Sequence, residues 1–148
     1  MPITADEVRD VVRRYVEAWK NGDKSLLLSI FAEDATWCDP VGTPAFAGHS
    51  GVAAFWDFAH RDQERELTPE VNRIVVCANE AILDFTMKVR IRRLNQGLDL
   101  RVVDRFVLND QGKIQSASAY WDESSASAPE GMDFFVPNID EAYEGSAS

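Results

Sequence analysis

Two alternating stretches joined by a short turn constrain this chain more than any other feature. Leu83, Phe85, Met87, Val89 and Ile91 alternate with Asp84, Thr86, Lys88, Arg90 and Arg92. Residues 98–108 then place Leu98, Leu100, Val102, Asp104, Phe106 and Leu108 on one parity. The other parity holds Asp99, Arg101, Val103, Arg105 and Val107. Alternate residues of a strand share a face, so both stretches predict strands with one dry and one wet side. Asn95, Gln96 and Gly97 supply the turn between them. Asp104 breaks the pattern by standing on the dry parity. An ionised carboxylate among aliphatic side chains is costly, so such a group pairs with a cation or stays protonated. No basic residue shares its face within the segment. Arg90 or Arg93 could reach it from elsewhere. Without such a partner, the acid is a neutral hydrogen-bond donor at pH 7.

The strands follow a helical half. Thr4 and Glu7 form a capping box, and Val8, Val11, Val12, Tyr15, Val16 and Trp19 follow at helical spacing. Asn21, Gly22 and Asp23 end that helix. Asp23 caps a second, short one running through Leu26, Leu27, Leu28, Ile30 and Phe31. Residues 35–39 read as a short strand, 40–44 as an irregular loop and 50–60 as a third helix. Further strands are expected at 71–77 and 114–121. Three helices with one short strand among them, then an antiparallel meander, predict an α+β fold with helices covering one face of a curved sheet. A sheet curled around helices leaves a pocket at its open end.

A chain of 148 residues reads as one domain, spanning about residues 1–123, with an appendage. The net charge of −10 argues against nucleic acid as a partner. Its distribution is uneven, because residues 124–148 and the adjoining Asp122 and Glu123 carry seven acids and no Lys or Arg. Within that tail, Ser124 to Ala128 is expected to be mobile. Met132, Phe134, Phe135, Val136 and Ile139 are too apolar for a purely solvated segment. They are expected to dock on the body, at the pocket mouth or a subunit interface, with the tail's acids facing Lys88, Arg90, Arg92, Arg101 and Arg105. No apolar run approaches the roughly 18 residues that cross a membrane. The N-terminus lacks the basic and apolar regions of a signal peptide. Cys38 and Cys77 read as buried free thiols, which fits a cytoplasmic protein. His49 and His60 are isolated and suggest no metal site.

Two more polar groups stand where apolar ones are expected. Tyr15 lies on the apolar face of the first helix, and Asp39 ends a strand in phase with Ala35 and Trp37. Each has a bland reading: a core tyrosine with a satisfied hydroxyl, and a turn residue before Pro40. Gathered in one apolar pocket, the three divide by environment. The less buried acid ionises and acts as a base, and the deeper one donates beside the phenol to an oxygen gaining charge. That set suits proton abstraction next to a carbonyl.

The residues that carry this set also carry a resemblance. Arg14 to Glu17 (Arg-Tyr-Val-Glu), Gly22 and Asp23, residues 31–36 (Phe-Ala-Glu-Asp-Ala-Thr) and residues 39–44 (Asp-Pro-Val-Gly-Thr-Pro) belong to it, with Gly48 and residues 53–55. So do Leu98 and Asp99, Val103 and Asp104, residues 112–115 (Gly-Lys-Ile-Gln) and residues 119–121 (Ala-Tyr-Trp). Together they resemble the bacterial Δ5-3-ketosteroid isomerases over about residues 4–123. The fold this implies is the cone of the nuclear-transport-factor-like superfamily, a curved antiparallel or mixed sheet wrapped around three N-terminal helices with a deep apolar pocket. That fold alone says little about chemistry.

The resemblance implies a 3-oxo-Δ5-steroid as substrate, no metal or cofactor, and a homodimer. Asp39 would carry a proton from C4 to C6, while Tyr15 and neutral Asp104 hold the C3 oxygen as a dienolate. A protonated donor acid in this family is a worked example of pKa tuning. Trp121 would support the base through its indole N–H. The wall would comprise Trp19, Phe55, Trp56, Phe85, Met87, Val89, Leu100 and Val102. Two positions depart from the pattern, because Phe31 and Trp56 stand where the family often has supporting tyrosines. Phe31 cannot hydrogen-bond and Trp56 can only donate. Cyclases, dehydratases and epoxide hydrolases of the same fold are competing readings, as is a non-catalytic carrier of an apolar ligand. An epoxide hydrolase would need an Asp-Arg-Asp set in the pocket, whereas the strand arginines are expected to point outward.

Overall fold

Thr4 opens the first helix, α1 (Ala5–Asn21), by accepting the Glu7 N–H at 3.1 Å. This is seen in a computed structural model that describes residues 2–61 and 64–137. Glu7 answers by accepting the Thr4 hydroxyl at 3.0 Å, where a capping box would use the Thr4 backbone N–H. Val8, Val11, Val12, Tyr15, Ala18 and Trp19 form the buried face of α1. Gly22 ends it at φ 65°, a left-handed conformation that glycine adopts without a Cβ clash. Asp23 caps α2 (Lys24–Ile30) through the Leu26 N–H at 3.0 Å.

Phe31 does not close α2 as its spacing suggested. It opens β1 (Phe31–Cys38), paired with Ile114 in extended backbone. Its side chain is buried in either conformation, so hydrophobic periodicity could not locate the boundary. The remaining elements are β2 (Phe46–Ala47), α3 (Gly48–Ala59), β3 (Glu66–Cys77), β4 (Glu80–Ile91), β5 (Gln96–Leu108), β6 (Ile114–Tyr120), β7 (Ala126–Ser127) and β8 (Asp133–Phe134). The main sheet runs β2-β1-β6-β5-β4-β3, with β1 parallel to β6 and its other neighbours antiparallel. Three helices and this curved mixed sheet make the cone-shaped α+β fold. Helix α1 packs on β3 and β4, and α3 on β1 and β2.

The expected strand at 71–77 begins five residues earlier, at Glu66. Pro69 masked that extension. It is tolerated because β3 is an edge strand, where a missing N–H costs no ladder bond. The 95–97 turn is also displaced. A 3-10 turn at Arg92–Leu94 and Asn95 at φ 51° do the turning, and Gln96 and Gly97 already belong to β5. Cys77 is exposed and Cys38 only partly buried, against the expectation of two buried thiols. Cys77 ends β3 next to the turn at Ala78 and Asn79.

Two further corrections concern the tail. Ser124 to Ala128 is ordered: Asp122 caps a 3-10 turn at Glu123–Ser125, and β7 pairs with Asp99 and Leu100. Among the described residues, the outward cations pair with acids on the sheet and not with acids of the tail. Lys88 meets Glu70, Arg90 meets Asp99, Arg92 meets Glu66, Arg101 meets Asp84 and Arg105 meets Glu80. Cross-strand neighbours are already in register, so these pairs need no ordering of a distant segment. Ile139, Asp140, Glu141 and Glu144 lie outside the described residues. No described helix is long and apolar enough to cross a membrane.

Candidate active site

Parity on β5 decides where Asp104 points. It sits across from Leu83 of β4 and Ala119 of β6, between inward Val102 and Phe106. At 3 % exposure it is the one buried charged side chain among the described residues. The strand arginines do not reach it: Arg90 bridges to Asp99, and Arg93 to Glu64. Its environment consists of the cavity, Tyr15 and Asp39. Burial first, then the negative charge of Asp39, holds the Asp104 carboxyl well above its ordinary range, against an opposing pull from the Tyr15 hydroxyl.

Tyr15 comes from the buried face of α1, at 4 % exposure. Its ring lies edge-on to Phe106 at 4.8 Å between centroids and to Trp37 at 6.3 Å. Burial, then Asp104 and Asp39, push its phenol well above the ordinary tyrosine range, while the Trp19 indole N–H opposes them. Trp19 Nε1 and Asp104 Oδ2 are buried without a hydrogen bond of normal geometry. Both lie near enough to the Tyr15 hydroxyl to bias its ionisation. Of the groups acting on Tyr15, the indole N–H of Trp19, four residues on along α1, is the one that favours the ionised phenol. Phe31 contributes only a tilted ring at 6.5 Å.

Asp39 follows the last residue of β1, where the chain leaves the sheet, and Val41 N–H donates to Ala119 O at 2.9 Å beside it. Trp121, one residue past β6, donates its indole N–H to Asp39 Oδ1 at 2.6 Å. Removal from bulk water lifts the Asp39 carboxyl to about 6, and the Trp121 bond moderates the rise. The two acids are thus separated by depth and by partner.

Tyr15, Asp39 and Asp104 line one cavity of about 590 Å³. Trp19, Phe55, Phe85, Met87, Val89, Leu100, Val102 and Trp121 line it as well. Trp56 does not. Its ring stacks behind Trp19 at 4.6 Å and on His60 at 4.1 Å, because its position on α3 faces α1. Sequence reasoning missed Trp37, Phe58, Leu67, Leu98 and Arg65 on the wall, while Phe134, Phe135 and Val136, expected to dock at the pocket mouth or a subunit interface, line the cavity with Pro137. Trp37 was legible, since it shares a strand face with Asp39. Leu67 was hidden with the rest of early β3. Such a lining, mostly apolar with a few convergent polar groups, is typical of a small-molecule site. Among the described residues, no three His, Cys, Asp or Glu side chains cluster as a metal site requires.

Residues 12–117 match the SnoaL-like domain family. The chain belongs to the SnoaL-like family. The superfamily expected from the sequence is thereby shown, whereas its isomerase branch is reached only by a more distant likeness. Steroid Delta-isomerase from Nocardioides simplex is 25% identical over 115 residues, 78% of this chain and 89% of that protein. Two solved structures share the fold of this SnoaL-like chain. The epoxide hydrolase/cyclase-like enzyme SalBIII, with a role in pyran ring formation in the polyether salinomycin, superposes with a TM-score of 0.75 at 21% identity. That match covers 84% of this chain and 97% of SalBIII. RV0760c from Mycobacterium tuberculosis gives a TM-score of 0.74 at 17% identity, covering 86% and 99% of the two chains.

Proposed function

We propose that this SnoaL-like protein isomerises 3-oxo-Δ5-steroids, moving the C5–C6 double bond into conjugation by proton transfer from C4 to C6. One observation carries the reading: two carboxyl groups in one apolar cavity have environments that separate their ionisation. Asp39, near 6, is ionised at neutral pH and takes the C4 proton. Asp104, deeper and beside that negative charge, keeps its proton and donates with Tyr15 to the C3 oxygen as it becomes a dienolate. The proton then returns from Asp39 to C6, so no cofactor enters the balance. The likeness to steroid Delta-isomerase supports the same assignment. A homodimer is expected by the same analogy.

An oxygen-ring-forming reaction is the second reading, favoured by the SalBIII fold and by an arginine on the cavity wall. The Arg65 guanidinium donates to Phe58 O and Ala59 O at the end of α3 and lies over the Phe135 ring. It is not among the groups that shift Asp39 or Asp104. An acid–arginine–acid set is therefore less well supported than a base with two neutral donors.

Incubation with 5-androstene-3,17-dione separates the readings. Growth of conjugated-enone ultraviolet absorbance is expected, and binding of equilenin without turnover would favour a carrier. Trp121→Phe tests the support of the base. Loss of the indole N–H removes the moderating bond on Asp39, so the acid limb of the kcat/KM profile is expected to move to higher pH. A limb that stays where the parent has it would show that Trp121 acts only by packing.

A further inference from the structure

We propose that residues 126–137 form a strap that sets the length of ligand the cavity accepts, with Phe135 latched on Arg65. These residues lie beyond the SnoaL-like match, which ends at 117.

The strap exists because β6 is shorter than β5. β6 pairs with β5 only from Val103 to Leu108, leaving one edge of β5 open from Gln96 to Val102. Unpaired edge groups attract another strand. β7 takes Asp99 and Leu100 in antiparallel pairing, and β8 takes Gln96 and Gly97 in parallel pairing. Between them the chain turns at Pro129 to Met132, with Met132 N–H donating to Pro129 O at 3.1 Å. Asn95 Nδ2 donates to Gly131 O at 3.0 Å, Asp133 N–H to Asn95 O at 2.9 Å, and Phe135 N–H to Gly97 O at 2.9 Å. Gly97 makes the approach possible. A Cβ there would lie 2.8 Å from Pro129 Cγ and 3.1 Å from Val89 O.

This attachment is at the far end of the cavity from the two acids. Asp104 lies seven positions along β5 from Gly97, roughly 23 Å along a strand. Phe134, Phe135, Val136 and Pro137 line the cavity there, while Phe134 and Val136 are 50% and 67% exposed. The wall is thus one chain thick, with solvent on its outer side. The Arg65 guanidinium lies 5.0 Å from the Phe135 ring centroid and also holds the last carbonyls of α3, so it joins the strap to the helical side. A segment anchored on one sheet edge opens at lower cost than the strands beneath it. A ligand whose reacting oxygen sits at Tyr15 and Asp104 therefore meets this wall with its opposite end. Compact apolar ligands fit beneath it, and chains extending from that end do not.

The choice of steroid probes rests on the proposed isomerase reading; the strap does not. Testosterone and testosterone heptanoate share the 3-oxo end and differ in the chain on the far ring. Their binding can be followed by quenching of Trp19, Trp37 and Trp121, which all line the cavity. The parent protein is expected to prefer testosterone by about tenfold or more. In full-length Phe135→Ala, and independently in Gly97→Ala, that preference is expected to shrink to about threefold or less. A ratio unchanged in both variants, or no preference in the parent, would overturn the inference even if both affinities fall together. If neither steroid binds the parent, the steroid reading fails. The same comparison with 4-propylphenol and 4-dodecylphenol then decides the strap by itself.

Discussion

Asp39→Asn is expected to lower kcat on 5-androstene-3,17-dione by on the order of 10²–10⁴, the usual contribution of a positioned general base. The substitution preserves shape, and the asparagine Oδ1 can still accept the Trp121 N–H. A loss confined to kcat, with KM nearly unchanged, would mark an interaction needed only in the chemical step. The parent enzyme should show kcat/KM rising with pH through about 6 and then levelling, because the base must be ionised. The same residue has an opposite effect on stability. Its carboxyl is raised in the folded state to about 6 from the ordinary 3.8. The folded state is therefore favoured fully at acid pH and loses that advantage as pH rises towards 6. A shift of this size, discounted for a group only partly sealed from solvent, corresponds to about 1–2 kcal/mol. Asp39→Asn should accordingly melt a few degrees higher than the parent at pH 8 and about equally at pH 4. A variant that retains turnover, or whose advantage in Tm is largest in acid, would contradict the assignment of Asp39 as the ionised base.

Asp104→Leu removes the second carboxyl, and its expected loss is about 10²–10³ in kcat, as for deletion of one oxyanion donor. Here too stability should move against activity. Asp104 is 3 % exposed and its Oδ2 has no hydrogen-bond partner of normal geometry. Its folded carboxyl is held well above its ordinary value, so the parent loses stability as pH climbs from about 4 towards that folded value. The leucine variant lacks this group and should show a flatter dependence of Tm on pH. The acid limb of its pH–rate profile should remain near 6, because burial and Trp121 set Asp39, with no contribution from Asp104. Two outcomes would remove the donor role: full activity in the leucine variant, or a Tm profile as steep as the parent's. Asp104→Asn, which keeps an N–H donor, is expected to fall between the two.

How far the chain could be read from its residues depended on whether neighbours in sequence were neighbours in space. Asp104 was legible, because strand parity alone placed it among Leu100, Val102 and Phe106, and β5 adopts that parity. Tyr15 was legible from helical spacing in the same way. Phe31 was misplaced because a buried residue at a helix–strand junction fits both periods. The start of β3 was missed because Pro69 is a breaker in a central strand but not at an edge. Trp56 was assigned to the wall from its place on α3. Whether an aromatic ring faces a cavity or backs another ring depends on which helix packs opposite, and Trp19 and His60 take that face.

Local periodicity determined the strands, the first helix and the dry-side carboxyl, since each rests on residues two to four positions apart. Tertiary structure decided that Asp39, Tyr15 and Asp104 share one cavity, that Trp121 reaches Asp39, and that the tail fills the edge left by a short β6. Those facts join residues tens of positions apart. They follow from the register and curvature of the sheet, which no short segment encodes, because strand pairing is fixed only when the whole core closes.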